Sequence, residues 1–490
     1  MKNIVICADG TGNSGGYGAD TNVYKIYKAV DIHNSKNQIT FYDQGVGTEK
    51  SDTSKNKYIT ALAAAFGFGF KKNVRDLYKF LVRSYSAGDS IFLFGFSRGA
   101  ATVRALTGLI HHCGLIDRNN ATLNNNGVFK DEEFEKLLDE AFSCYEKKGQ
   151  KAIQFKNTYA LSDNKYAPNG NLKIKFIGVW DTVSALGFPK DSSVLIQGFF
   201  SLADKLSDFI LPHNFYDYEL NPSIENAYHA ISIDDERKTF HPIIWDENKT
   251  QGHVEQVWFA GVHSNVGGGY PRTGLSDIAL EWMMIKAEQH GLIFYNWYKT
   301  QVSASSNRHD RLYDSRDGIA IYYRYGPRDI EKLCDKKLRG NVAIHKSAYE
   351  KIKDLSDPYT PDGLPAKFDV VETNGGPRTP SVNVTNIQEW NELKERECAF
   401  IKRRENLYRY FVELTVLILI AATYFSINQT PCSGFSCLNN LSLDSFLNVV
   451  QEKPIFFGLM LSTLIFMWYL HKYYIRKLSE ICKRLYVLIN

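Results

Sequence analysis

Gly95-Phe96-Ser97-Arg98-Gly99 is the stretch of this sequence best equipped for chemistry. A serine with a glycine two residues to either side can occupy a sharp strand-to-helix turn. Its hydroxyl is then exposed beside a helix N-terminus whose free N–H groups favour developing negative charge. A hydroxyl is a weak nucleophile at neutral pH, so Ser97 needs a base, and the base needs a carboxylate to orient it. The chain order serine, acid, histidine that accompanies such a turn directs the search downstream. Asp181 follows the apolar run Phe176-Ile177-Gly178-Val179-Trp180, and His263 follows the apolar residues 257–262 and precedes Gly267-Gly268-Gly269. Ser97, Asp181 and His263 are therefore the expected nucleophile, acid and base, with Gly95 and Gly99 framing the turn. His213, His229, His241 and His253 are read as structural. The developing oxyanion requires the N–H of Arg98 and a second donor, for which the loop after the first strand offers Gly10 and Thr11. That loop lacks the lysine and spacing of nucleotide-binding glycine loops. The eight cysteines include no C-x-x-C pair. No cofactor and no metal are expected.

These side chains need a sheet to bring them together. Residues 4–8 read as a first strand running into a polar glycine turn. Residues 70–84 carry apolar side chains at helical spacing, 90–94 are large β-formers, and the small residues after Gly99 open a helix. Residues 173–180 give a further strand, with Asp181 at its carboxyl end, the edge where α/β sheets build their sites. The polar stretch 117–170 reads as an insertion with a helix over 131–147. The apolar stretch 188–222 is placed between acid and base as a lid or, equally, a buried helix.

Composition bounds the function. Hydrophobic residues are 44% and charged residues 23%, which suits a globular chain and excludes a disordered or collagen-like one. With 58 Lys and Arg against 54 Asp and Glu, the net charge of +4 gives no nucleic-acid footprint. The N-terminus shows no cleavable export signal. Two apolar runs close the chain, 410–427 with Glu413 as its one charge and 454–470 with none; each just reaches the length of a spanning helix. Tyrosines and tryptophans cluster near their ends. Lys402, Arg403, Arg404 and Arg409 precede the pair, and Lys472, Arg476, Lys477, Lys483 and Arg484 follow it. The loop 428–453 is nearly free of positive charge, so the positive-inside rule places both flanks in the cytoplasm. Cys432 and Cys437 fall in that outer loop, where a disulfide is chemically allowed.

Five segments resemble one bacterial α/β-hydrolase family, which includes the phospholipase effectors of type VI secretion. They are ICADGTGN at 6–13, FYDQGVGT at 41–48, IFLFGFSRGAATVRAL at 91–106, IGVWDTVSALG at 177–187 and WFAGVHSNVGGGYPRTGLSDIALEWM at 258–283. Weaker echoes include DSRDG at 314–318 and YRYGPRDI at 323–330, and the likeness extends over about residues 2–373. The resemblance implies an α/β-hydrolase-type, mostly parallel sheet with helices on both faces, here followed by a C-terminal two-helix transmembrane hairpin. It places the family's Ser, Asp and His on Ser97, Asp181 and His263. Relatives often carry Asp where this chain has Asn265, so a role there in orienting His263 or binding an ion is open.

The expected organisation is a catalytic domain over 1–373, a linker and charged helix over 374–408, spans at 409–427 and 454–471 around an extracytoplasmic loop 428–453, and a basic cytoplasmic tail over 472–490. The expected protein is a membrane-anchored serine hydrolase of the bacterial inner membrane. Its resemblance implies cleavage of acyl esters of membrane phospholipids. Such an enzyme would need restraint by an activator or inhibitor, as in regulated membrane damage during antiviral defence. Self-association of the hairpin is left open. The alternatives are a serine esterase or thioesterase acting on a soluble substrate, and a non-catalytic membrane scaffold.

Overall fold

A computed structural model of the full chain describes all residues except 11–14, 17, 34–36, 46–68, 119–130, 184–216, 355, 357–358, 375–381, 430–450, 452 and 490. The elements in chain order begin with β1 (Asn3–Ala8), α1 (Asn22–Ala29), β2 (Gln38–Asp43), α2 (Phe70–Ser84), β3 (Ser90–Phe96), α3 (Arg98–Cys113), α4 (Asp131–Lys147) and α5 (Gly149–Tyr159). Next come β4 (Phe176–Trp180), β5 (Asn226–Ser232), β6 (His253–Phe259), α6 (His263–Gly267), α7 (Gly274–Gln289), α8 (Asn296–Ser305) and α9 (Ile330–Cys334). The chain closes with β7 (Val342–His345), α10 (Lys346–Lys353), β8 (Lys367–Val371), β9 (Val382–Asn383), α11 (Ile387–Gln429) and α12 (Pro454–Val487).

The strands form one sheet in the order β2-β1-β3-β4-β5-β6-β7-β8-β9, and every pairing is parallel except β8 with β9. Parallel strands are buried on both faces, which explains why β3 and β4 are apolar without alternation. Successive side chains point to opposite faces. Ile4, Ile6, Ile91 and Leu93 pack with α2 to α5 on one side. Val5, Cys7, Phe92 and Phe94 pack with α1 and α7 on the other. The chain is thus of the α/β class, with helices on both faces of a mostly parallel sheet. Strand order reverses between β1 and β3, and the crevice beyond their carboxyl ends is where open α/β sheets bind ligands.

The expected insertion helix is α4, and Phe134, Leu138 and Phe142 join it to the core beside α2 and α3. Most of the lid region 188–222 and most of the loop 428–453, with Cys432 and Cys437, lies outside the described residues.

The strand before His263 ends at Phe259 instead of running to 262, because Gly261 takes a φ of +111° and turns the chain. A third core cluster gathers β7 and β8 with Trp390 and Leu393 of α11 and Ile481 and Leu485 of α12. The chain beyond residue 373 is therefore tied to the sheet, through β9 and through these two helices. Its feet lie side by side: Thr385 donates its N–H to Leu488 O at 2.8 Å, and Glu389 lies 3.9 Å from Arg484. Among the described residues, α12 is the helix long and apolar enough to cross a membrane. Its apolar side chains are largely uncovered, Ile455 at 79% and Leu459 at 65% exposed, unlike those of a core helix.

Candidate active site

Ser97 sits between β3 and α3 with φ 58° and ψ −121°, a left-handed conformation that a non-glycine residue holds only when its surroundings enforce it. Its N–H donates to Trp180 O at 3.1 Å, across the carboxyl ends of β3 and β4. The two framing glycines permit this turn sterically. A Cβ on Gly95 would come 2.6 Å from Ala100 Cα, and one on Gly99 would come 2.1 Å from Ala8 O. Gly99 thereby lets the start of α3 press against the end of β1, which brings the Asp9-Gly10 turn beside the Ser97 turn.

Asp181 immediately follows β4 and has no solvent exposure; its φ of +39° is also left-handed. One carboxylate oxygen lies 2.5 Å from His263 Nδ1. The other accepts the Ser232 N–H at 2.9 Å, so the carboxylate is held from two sides. Arg328, also buried, spans both oxygens at 2.6 and 2.8 Å and donates to Ser232 O and Phe240 O as well. Burial by itself would raise the Asp181 pKa. The Arg328 charge, its hydrogen bonds and the His263 contact override burial and hold the carboxyl well below the usual range.

His263 opens α6. Burial pulls its imidazole below the ordinary histidine value despite the opposing pull of Asp181, which favours the neutral ring. Its ring centroid lies 4.6 Å from that of Phe96, the residue before Ser97, and 5.1 Å from that of Phe240. Its N–H donates to Asp235 at 3.2 Å, and Asp235 is clasped by Arg237 at 2.7 and 3.0 Å. The glycines after His263 serve packing. A Cβ on Gly267 would come 2.0 Å from the Phe96 ring, so this glycine lets α6 close onto the Ser97 turn.

The structure thus places Ser97, Asp181 and His263 at the carboxyl ends of β3, β4 and β6. It joins Asp181 to His263 directly, and it sets Ser97 next to the ring that stacks on His263. Arg98 forms the first residue of α3 behind Ser97. Gly10 donates its N–H to the Asp9 carboxylate at 2.7 Å, so that donor is engaged, and Thr11 lies outside the described residues. Asp9 also accepts from Thr21 at 2.6 Å and Tyr42 at 2.8 Å, yet burial keeps its pKa up at about 6.

Asn265 ties the His263 turn to a later loop. Its side-chain oxygen accepts the Tyr313 N–H at 3.2 Å and its amide donates to Arg311 O at 3.1 Å. An aspartate could not make the second bond. His229 donates nothing to the site; its Nε2 accepts the Thr182 N–H at 3.2 Å. Arg328 was not singled out from sequence, although it lies in the YRYGPRDI segment, whose invitation was an arginine directly before an Asp at a helix start.

Among the described residues, Asp362, Glu397 and Cys482 bring three ligand-type atoms within 4.8 Å of one another. They lie where α11 and α12 meet the domain, and the Cys482 thiol donates to Asp362 at 3.2 Å.

Comparison with known proteins gives the family. Residues 2–286 match the family described as T6SS, phospholipase effector Tle1-like, catalytic domain. An uncharacterized protein of Saccharomyces cerevisiae, YEL023C, is 27% identical over 252 residues, which cover 49% of this chain and 32% of that one. A crystal structure of an uncharacterized protein from Pseudomonas aeruginosa overlaps 92% of this chain and 62% of its own at 14% identity, with a TM-score of 0.33. The chain therefore spans about a third of the yeast relative and under two thirds of the crystallised one.

Proposed function

This chain belongs to the T6SS Tle1-like phospholipase effector family, and on that premise we propose that it is a membrane-anchored serine hydrolase cleaving acyl esters of phospholipids. The observation that carries the reading is the buried Asp181–His263 pair, 2.5 Å apart and backed by Arg328, at the sheet edge that also holds the strained Ser97 turn. In this reading Ser97 Oγ attacks the ester carbonyl while His263 Nε2 takes its proton. The Nδ1–H donates to Asp181, which fixes the tautomer and stabilises the imidazolium. The N–H of Arg98 at the start of α3 faces the developing oxyanion. With the Gly10 N–H held by Asp9, the second donor falls to Thr11, or to Gly10 on release from Asp9. His263 then returns the proton to the leaving lysophospholipid alcohol. Water attacks the acyl-serine by the same route and releases a fatty acid.

The anchor reading extends this. The adjoining feet of α11 and α12 suit a hairpin with both flanks on the domain's side of a bilayer, so residues 409–427 and 454–471 would be the two spans. A tether keeps the cleft at high effective concentration over its substrate. Such an enzyme in its own cell's membrane needs restraint, which fits regulated membrane damage in antiviral defence. Mass spectrometry of mixed bilayer phospholipids incubated with the detergent-solubilised chain tests the activity. We expect free fatty acid and lysophospholipid with the native chain and neither with Ser97→Ala. Equal products from both would remove Ser97 as nucleophile. Unchanged lipids alongside fluorophosphonate labelling of Ser97 would favour the soluble-ester reading.

A further inference from the structure

Two short segments beside the site run antiparallel. Lys238 N–H donates to Arg324 O at 2.9 Å, Gly326 N–H donates to Glu236 O at 2.8 Å, and Arg237 bridges Tyr325 between them. Each segment leads to one partner of the Asp181–His263 pair. The first begins at Asp235, which accepts the His263 N–H. The second continues to Arg328, which grips Asp181. This ribbon is therefore the common support of both side chains.

Arg404 of α11 enters the ribbon from the side. Its guanidinium reaches the two Glu236 carboxylate oxygens at 2.7 and 3.0 Å and donates to Tyr325 OH at 3.0 Å, with the Tyr325 ring 4.1 Å away. It is only 6% exposed. One of the positive charges that precede the first apolar run is thus spent inside the domain. A forked arginine–carboxylate pair fixes orientation as well as distance, and removing one member strands a buried charge. The next residue adds a second tie, Glu405 to Arg324 at 2.6 Å.

We infer that Arg404 is a positioning residue of the Ser97 site: clamping Glu236 and Tyr325, it couples the helix leading into the apolar C-terminal segment to the orientation of His263 and Asp181. The catalytic consequence rests on the hydrolase reading above, whereas the coupling to His263 does not. The charged groups facing His263 are Asp181, Asp235 and Arg237. Those facing Arg404 are Glu236, Arg316, Asp362 and, from α12, His471, with Tyr325.

The test uses the full chain in detergent with ¹³C-labelled histidine rings, the His263 signal assigned by its loss in His263→Gln. Loosening the ribbon lets water reach the imidazole and relieves the burial that depresses its pKa. Arg404→Gln and Glu236→Gln should each raise the His263 titration midpoint. They should also slow fluorophosphonate labelling of Ser97 by roughly tenfold to a hundredfold, the scale of small misplacements in an active site. The charge-swapped pair Arg404→Glu with Glu236→Arg should recover most of both. Arg403→Gln, on the exposed side of the same turn, should change neither. Arg404→Lys, which keeps the charge, covers the case in which Arg404→Gln fails to fold and should give an intermediate midpoint. A His263 midpoint unmoved in folded Glu236→Gln and Arg404→Lys overturns the inference. Shifted midpoints in a chain whose Ser97 never labels would leave the coupling standing and remove the hydrolase reading.

Discussion

A carboxylate without solvent is costly to ionise unless a cation stays beside it. Asp181 meets that condition through Arg328, which is itself buried and supplies two of its forked donors to the carboxylate. In the proposed mechanism the pair has a role beyond neutralisation, because an ionised Asp181 would direct the His263 Nδ1–H and leave Nε2 to act as base. Arg328→Met would leave Asp181 buried with only His263 for charge balance. We expect a loss of about 3–5 kcal/mol in stability, the usual result of breaking a buried pair. Without Arg328, burial dominates and the Asp181 pKa rises. Protonation then disables the site at higher pH, so the acid limb of the Ser97 labelling profile should move up relative to native. A variant with native melting and an unmoved acid limb would show that Arg328 is dispensable to Asp181.

At the scale of elements, the junction of β1, β3 and α3 sets how Ser97, the proposed nucleophile, is presented. The start of α3 lies so close to the end of β1 that any side chain at Gly99 meets the Ala8 and Asp9 carbonyl oxygens, at 2.1 and 2.5 Å from a Cβ. Backbone on both sides cannot rotate away as a flexible side chain could. Gly99→Ala should therefore push α3 off the sheet, costing on the order of 1–3 kcal/mol or more. It should also abolish Ser97 labelling, even where the variant still folds. Thermal melting and labelling read together check this, and a fully labelled variant would mean that the turn tolerates displacement. The strand–turn–helix around this junction was legible because its cues are local: a run of β-formers, two glycines around a serine, then small residues at helical spacing. The early end of β6 was less so, because Gly261 sits inside an apolar run and its φ of +111° breaks the extended backbone without any polar signal.

For the whole molecule, the C-terminal helices are at once part of the domain and separate from it. Their feet bury Trp390, Leu393, Ile481 and Leu485 against β7 and β8. Farther along, Leu459, Phe466 and Trp468 are more than half exposed, an uncovered apolar surface of the kind that marks lipid or protein contact. In membranes from cells expressing the full chain, extraction with alkaline carbonate should leave the protein in the pellet. Its release would mean that a protein surface, and not lipid, covers α12.

The sequence alone determined where Ser97 and Asp181 stand relative to their strands and put His263 shortly after a third, since each follows an apolar run at the edge where such sheets carry their sites. It also determined the two apolar C-terminal runs, for which length and scarcity of charge suffice. Tertiary structure decided which charges serve the site. Arg328 meets Asp181 across 147 residues, and Arg404 meets Glu236 across 168. In the sequence both arginines look like ordinary surface charges, and Arg404 stands in a run with Lys402 and Arg403. Burial and partner choice distinguish them, and both depend on how distant segments pack. No local periodicity records that, because the desolvation that makes an ion pair matter exists only once the chain has closed around it.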